Sequence, residues 1–377
     1  MRSRRNPSPV PDGASLRATV QAYYTERLGD GGCCSGAAVA PDAAEVPSFG
    51  CGDPNAGAAL RRGETVLDLG SGAGYDAFRA AEAVGPSGTV IGVDMTAAML
   101  ARARRAALER GLSNVRFVEG TLEDLPLADA SVDVVISNCV VNLCADVPRV
   151  LGEAHRVLRP GGRVRISDTF RVPTAGVPDD AQAWCACVAG AHDAATFAAQ
   201  ARSVGFVDVA VEPDAPADAA AHAGAVYGAV LRATKAEIVD ETEPADGAAL
   251  LARVGLPLEG WAGATTRRWG VRERGRLQAV IALEVLGGHG LLRSLATAPE
   301  ERGRGLAWAL VAHALRAARE AGLVSVAGLT TTVPELLPRW GFREVPRAAL
   351  SAALDASAEL RGACPASARA FLLDLAP

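Results

Sequence analysis

Lysine is almost missing from this chain. Lys235 is the only one in 377 residues, and arginine supplies the other long basic side chains; codon usage accounts for the bias. An excess of positive charge is missing too. The formal net charge is −5, which excludes bulk electrostatic attraction to nucleic acid or to an anionic membrane. No apolar run is long enough to span a bilayer. The start, MRSRRNPSPVPDG, is basic, but no apolar segment follows it, so a cytoplasmic location is expected and a secretory signal is not. No pair of cysteines has zinc-ribbon spacing, which argues against a structural zinc site. No internal repeat is visible.

What is there suits a folded protein. Hydrophobic residues make up 49% and charged residues 21%, a globular balance, and the length leaves room for two cores. Eight cysteines are present. In a reducing compartment they point to soft-metal ligation or catalysis rather than to a disulfide framework.

Residues 61–235 read as alternating strands and helices. Thr65–Leu69 and Thr89–Asp94 are short β-branched strands bounded by glycines. A helix is expected between them, from about Ala73 to Ala83. A second follows Thr96 as N-cap and ends before Gly111. Val115–Glu119 and Val132–Asn138 read as further strands. Asp146, with Pro148 at the first helical position, opens a helix that runs to Leu158. The turn RPGG then leads into a strand over Arg163–Asp168. Such alternation implies a parallel sheet wrapped by helices, an α/β fold. A strand ending near Arg232 and another near Ile238 place a seam at Lys235. Residues 236–377 then form a separate α+β unit.

The stretch VLDLGSGAG (Val66 to Gly74) leaves a strand and opens a helix. Gly70, Gly72 and Gly74 let the backbone approach a ligand at the helix N-terminus. Asp94 ends the next strand about 20 residues further on, where it suits the hydroxyls of a ribose. Asp68 lies inside the motif and suits an ammonium group better than a pyrophosphate. That choice favours an adenosyl cofactor with a cationic end, S-adenosylmethionine, over nicotinamide. Met95 follows Asp94. EGTLEDLP (Glu119 to Pro126), with Thr121, Leu122 and Glu123, stands after the third strand, where an adenine would rest. Asn138 ends the fourth strand at the same sheet edge.

Cys139 comes directly after that strand, at the carboxyl edge where α/β enzymes bind ligands. Cys51 lies in SFGCGDP, before the first strand. Cys187 lies in WCACVAGA, after the fifth. Cys33 and Cys34 sit in GGCCSG. Single thiols from separate loops suit one soft, thiophilic centre. A trivalent metalloid on three sulfurs keeps a lone pair opposite them, free to attack a sulfonium methyl. Cys144 and Cys185 are read as small apolar residues. On a helix, Cys185 and Cys187 would not face one site.

VLDLGSGAG, GVDM and HRVLRPGGRVRISD resemble the motifs of class I S-adenosylmethionine-dependent methyltransferases. That resemblance implies a Rossmann-like, seven-stranded sheet whose last strand is antiparallel. GCGDP, GSGAGYDAF, VIGVDMTAAMLARAR and ISNCVVNL, spread over about residues 15–210, resemble more narrowly the arsenite S-adenosylmethionine methyltransferases. This resemblance implies arsenic-binding roles for Cys51, Cys139 and Cys187, and for an upstream thiol at Cys33 or Cys34. It implies that the QAYYTERLG helix, with Tyr23 and Tyr24, covers the cofactor, so that residues 1–60 are a cap with cysteine loops. It also implies a reaction. Arsenite or its thiol conjugate exchanges onto the cysteines, and the arsenic lone pair displaces the cofactor's methyl in line. Thiols then reduce the arsenic, with thioredoxin or glutathione resetting the resulting disulfide. One departure is the short region after Val211.

The second half carries its own signal. In LLRSLATAPEERGRGLAWALVAHALRAAREAG (Leu291 to Gly322), a strand holding Leu295 and Thr297 runs into Arg302, Gly303, Arg304, Gly305, Leu306 and Ala307. Glycines at a helix start let backbone amides face a pyrophosphate, and the arginines add positive charge. With GLTTTVPELLPRWGF and CPASARAFLLDL, this stretch resembles the GNAT acetyltransferases, which implies acetyl-CoA as cofactor. No tyrosine follows Tyr227, so the acid many of these enzymes use is missing, and Trp340 precedes Gly341 instead. Glu284 is a candidate base, with an exposed strand carboxylate as the plainer reading. A methyltransferase for an organic acceptor, or a metalloid-binding protein without turnover, remain the alternatives for the whole chain.

Overall fold

The computed structural model describes residues 13–26, 52–173, 176, 181–214, 226–241 and 243–375. The chain divides into two compact units: Met1–Ala201 with Val209–Thr234, and Arg202–Asp208 with Lys235–Pro377.

The first unit is built on a seven-stranded sheet. Its strands are β1 (Thr65–Leu69), β2 (Thr89–Asp94), β3 (Val115–Glu119), β4 (Val132–Asn138), β5 (Leu158–Arg171), β6 (Phe206–Pro213) and β7 (Val226–Lys235). They lie in the order β3-β2-β1-β4-β5-β7-β6. β3, β2, β1, β4 and β5 pair in parallel, and β7 runs antiparallel to β5. This is the sheet that the methyltransferase resemblance implies. Strands covered on both faces must be apolar throughout. Val66, Leu67, Leu69, Val134, Val135 and Ile136 are accordingly buried.

Around the sheet lie α1 (Gly13–Glu26), α2 (Tyr75–Val84), α3 (Ala97–Glu109), α4 (Val147–Val157), α5 (Ala181–Cys185) and α6 (Ala194–Ser203). α2 buries Ala77, Phe78, Ala81 and Val84, and the Phe78 ring meets Phe117 edge-on, with 5.8 Å between centroids.

Several local expectations are corrected. α2 starts at Tyr75, not Ala73, because Gly74 holds a left-handed φ of 97° that ends the loop. Thr96 precedes α3 but its side chain caps nothing; it hydrogen-bonds Asp94 instead. Asp146 does cap α4, accepting from the Arg149 amide, but Val147 takes the first helical position and Pro148 the second, and Leu158 is already extended. β5 is longer than Arg163–Asp168. It takes in the RPGG turn because its ladder with β4 shifts register between Val132 and Val134.

The second unit holds β8 (Ile238–Asp240), α7 (Pro244–Arg253), β9 (Thr266–Glu273), β10 (Arg276–Leu286), β11 (His289–Thr297), α8 (Leu306–Glu320), β12 (Ser325–Thr330), β13 (Arg343–Val345) and β14 (Arg369–Asp374). The sheet order is β13-β14-β12-β11-β10-β9-β8. Only β11 and β12 pair in parallel; the other neighbours are antiparallel. The period-2 alternation of β10 explains its two covers. Ile281 and Leu283 pack with Leu310 and Ala314 of α8. Val280 and Ala282 pack with Leu250 and Leu251 of α7 and with Trp261.

Truncating the large side chain that joins α2 to the sheet should be costly. Phe78→Ala is expected to lower the unfolding free energy by about 3–5 kcal/mol, read from chemical denaturation of the purified chain.

Candidate active sites

The parallel strands of the first unit end along one edge, and a pocket opens there. Asp68, Gly70, Gly72, Asp94, Met95, Thr121, Leu122, Glu123, Asn138 and Cys139 all line it. Glycine is required where the loop turns. Gly70 has a φ of 66°, and a Cβ there would lie 2.5 Å from Val140 Cγ2. Gly74 is set back from the lining; its Cβ would meet the Phe78 ring at 2.7 Å. The Gly72 amide donates to Asp94 Oδ2 (2.9 Å) and the Thr96 amide to Asp94 Oδ1 (2.8 Å). Asp94 is thereby fixed, although burial raises its pKa above the ordinary carboxylate value against those two amides.

The floor of the pocket is acidic and under-satisfied. Asp68 is buried, and its Oδ2 has no hydrogen-bond partner; neither has the buried Ser71 Oγ. Burial, with the charges of Asp76 and Asp94 behind it, pushes the Asp68 pKa well above the usual range. Asp76 is raised by burial as well, opposed by the Asn138 amide, which donates to its Oδ2 at 2.9 Å. A buried orphan carboxylate oxygen calls for a cation. The ammonium and sulfonium of S-adenosylmethionine fit that demand.

Sequence reasoning missed Asp76, Ser71, Arg17, Val20 and Cys144, which share the lining with Tyr24, a residue the resemblance had placed over the cofactor. Asp76 had a signal, a carboxylate on the apolar face of α2. The α1 side chains had only the resemblance. Helix α1 is tied over the pocket: Gln21 Nε2 donates to Met95 O (3.0 Å) and Tyr24 Oη to Cys185 O (3.1 Å).

The structure brings Cys139 and Cys187 together. Both are buried in one cluster with Cys185, Leu16, Val20 and Leu143. Cys187 Sγ lies 3.2 Å from the carbonyl oxygen of Cys139. Both residues hold left-handed backbone, with φ of 52° at Cys139 and 59° at Cys187. For non-glycine residues that conformation costs on the order of 1–3 kcal/mol each, and such strain concentrates at functional sites. The expected separation of Cys185 from Cys187 is overturned: α5 ends at Cys185, and the turn beyond it returns Cys187 to the same cluster. Cys144 is also nearer the site than expected. It lines the pocket, and burial, then Glu123 and Asp168, push its thiol pKa well above the ordinary value.

Cys33, Cys34 and Cys51 lie outside the described residues. Among the described residues no three His, Cys, Asp or Glu side chains form a metal cage. Gly52, the chain neighbour of Cys51, exchanges two hydrogen bonds with the Asn138 side chain, 2.8 Å to its oxygen and 3.3 Å from its amide.

In the second unit, β11 pairs with β12 only from His289 to Leu292. Leu295 and Thr297 lie beyond, past an irregularity at Ser294 (φ 56°), where β12 continues with β14 alone. The two parallel strands therefore part, and the turn after β11 leads to α8. Gly303 and Gly305 carry φ of 84° and 92°, and Leu306 and Ala307 start the helix. Arg302 is exposed. Arg304 is ion-paired to Glu301 (2.6 Å) and Glu273 (2.7 Å), so its charge is already matched by carboxylates. The reading of Glu284 as an exposed carboxylate is overturned. It is 7% exposed, and its Oε2 accepts from Arg293 Nη1 (3.0 Å) and Ser357 Oγ (2.6 Å). Arg293 also pairs with Glu359 (3.0 Å). Glu284 thus braces a buried network instead of standing ready to take a proton. Trp340 packs edge-on against Trp308, with centroids 5.0 Å apart.

Comparison with known proteins follows the same division. Residues 60–215 match the family model of a methyltransferase domain, and residues 236–342 that of the acetyltransferase (GNAT) family. The arsenite methyltransferase of Halobacterium salinarum is 49% identical over 204 residues, covering 49% of this chain and 52% of that protein. The arsenite methyltransferase of Aquipseudomonas alcaligenes is 43% identical over 177 residues, covering 45% of this chain and 51% of that protein. The crystal structure of an arsenic(III) S-adenosylmethionine methyltransferase from Chlamydomonas reinhardtii is 33% identical, covers 60% of this chain and 74% of its own, and has a TM-score of 0.41. The chain spans about half the length of the two curated relatives. Its two halves are a methyltransferase domain that draws on S-adenosylmethionine and a domain of the GNAT acetyltransferase family, which draws on acetyl-CoA.

Proposed function

We propose that the first half methylates thiol-bound trivalent arsenic and that the second half acetylates an amine. The observation that carries the first reading is the meeting of Cys139 and Cys187, both in left-handed backbone, beside a pocket whose orphan carboxylate oxygen calls for a cation. The name shared by the two curated relatives supports the choice of acceptor.

S-adenosylmethionine, when bound, supplies an electrophilic methyl group. Asp68 would hold its ammonium and Asp94 its ribose hydroxyls, with Thr121, Leu122 and Glu123 along the adenine. Cys139 and Cys187, with Cys51 as third thiol, take the arsenic and leave its lone pair on the open side. That lone pair carries no proton, so no general base is needed. Alignment of the two reactants supplies most of the acceleration. Two thiols closing to a disulfide would return the two electrons that methylation formally withdraws from arsenic, and glutathione or thioredoxin would reopen it. In the second half, the gap between β11 and β12 and the amides of the Gly303–Gly305 turn suit the acetyl and pyrophosphate ends of acetyl-CoA.

Purified protein given arsenite, S-adenosylmethionine and a thiol reductant should form methylated arsenicals, measured by chromatography coupled to arsenic detection. Cys139→Ser should abolish the product, and a variant that still turns over would sink the mechanism. Asp68→Asn should weaken S-adenosylmethionine binding by at least about tenfold, given a hydrogen bond to a charged group of roughly 1.5–3 kcal/mol. The same change should raise the melting temperature of the cofactor-free protein at pH 8. The sign follows from linkage. A carboxyl with a raised folded-state pKa binds its proton more tightly when folded, so stability falls as pH climbs from the unfolded value of 3.8 toward the folded one. Asp168, pushed up to about 7 by burial, adds to that fall between pH 3.8 and about 7. For the second half, free coenzyme A should appear when acetyl-CoA is incubated with a panel of amines. Failure with acetyl-CoA to bind at all, by calorimetry, would remove that activity.

A further inference from the structure

We propose that Asn142 and Gly190 form the joint that sets the spacing of the Cys139 and Cys187 turns, with Asp168 holding Asn142 in place. The proposal rests on the reading of these cysteines as arsenic-binding thiols and adds the residues that bring them into range.

Three consecutive residues of β5 grip the turn after β4. Ser167 O accepts from the Cys139 amide at 2.8 Å. Asp168 Oδ2 accepts from the Asn142 amide (3.2 Å), and Oδ1 from Asn142 Nδ2 (2.9 Å) and from the Thr169 amide (2.8 Å). Asn142 Nδ2 also donates to Thr169 O. The short 3-10 turn Val141–Leu143 is thus locked to the strand at both its backbone and its side chain.

The turn that carries Cys187 closes onto this lock. Its backbone is self-bonded, from Cys187 N to Trp184 O (2.9 Å) and from Val188 N to Ala183 O (2.9 Å). At its far end lies Gly190, whose added Cβ would stand 1.9 Å from Asn142 O and 2.6 Å from the Trp184 ring. Gly190 is not among the glycines with positive φ. The residue is therefore glycine because of contact, not because of backbone conformation. Any side chain there must push the Cys187 turn away from the Cys139 turn.

Two features separate this joint from ordinary packing. Asn142, Asp168 and Gly190 do not line the cofactor pocket, although Asn138, Cys139, Val140, Leu143 and Cys144 around them do. Asn142 Oδ1 is buried without a partner, a cost of about 1–3 kcal/mol that an apolar side chain would avoid. The amide is kept for what its nitrogen and backbone fix, not for stability. Asn142 and Gly190 are positioning residues: neither supplies a thiol, and both act through Cys139 and Cys187.

The test is Gly190→Ala in the full chain, with arsenite as probe. S-adenosylmethionine affinity, by calorimetry, should stay within about twofold of the parent, because the cofactor's side chains are untouched. The arsenite KM should rise at least about tenfold, as displacement of a reacting group by roughly an ångström predicts. X-ray absorption of the arsenic complex should show the sulfur atoms per arsenic falling from three toward about two. Unchanged arsenite KM and sulfur count would overturn the proposal. Should Gly190→Ala lose cofactor binding as well, Asn142→Ser, which cuts the side-chain link without a clash, decides on the same two readings. Failure of the parent protein to bind arsenic through sulfur would overturn the underlying reading, and with it the joint, and is seen before any variant is made.

Discussion

Parallel pairing of β1, β4 and β5 is the constraint on which the first unit depends. In a parallel sheet every strand points the same way, so every strand delivers its next residue to the same edge. Gly70 follows β1, Cys139 follows β4, and Asp168 lies in β5 opposite the turn after Cys139. Far apart in the chain, they meet because Leu69 lies in register with Ser137, and Ser137 with Ile166. A shift of two residues in the β1–β4 ladder would leave the glycine loop intact and separate it from the thiol, and one in the β4–β5 ladder would part Asp168 from the turn after Cys139.

That edge is expensive to maintain. Asp68 and Asp76 are buried and Asp94 is half-buried, and each is held above its ordinary pKa chiefly by loss of water. Cys139 and Cys187 add left-handed backbone, and Asn142 adds an unsatisfied carbonyl. Costs of several kinds at one place are what a binding site looks like before its ligand is counted. A cationic cofactor would relieve the carboxylates, and a thiophilic centre would reward the strained turns.

The second unit reaches a comparable opening by different means. Its sheet is mostly antiparallel, and the one parallel pair, β11 with β12, comes apart after four residues. The Gly303–Gly305 turn and the start of α8 lie downstream of that break. Nearby, Arg293, Glu284 and Glu359 form a buried ion network, which turns a carboxylate that looked available into a fixed one.

Strand and helix alternation, the glycine loop, the twin-domain order and the cofactor classes were legible in the sequence, because each rests on a local pattern: β-branched runs between glycines, or glycines at a helix start. Helix ends were less legible, since Gly74 and Thr96 act through φ and through a bond to Asp94. Asp76 and Cys144 were missed because burial of a polar side chain leaves little local trace. Pairing Cys139 with Cys187 could be named only through resemblance. What the sequence by itself determined is which residues can do chemistry here, since residue type and short-range spacing govern strands, loops and ligand preference. What only the tertiary structure decided is which of them meet. Ladder register, the left-handed turns and the closure of Gly190 on Asn142 join residues from 29 to 68 positions apart, and no local preference encodes such a distance.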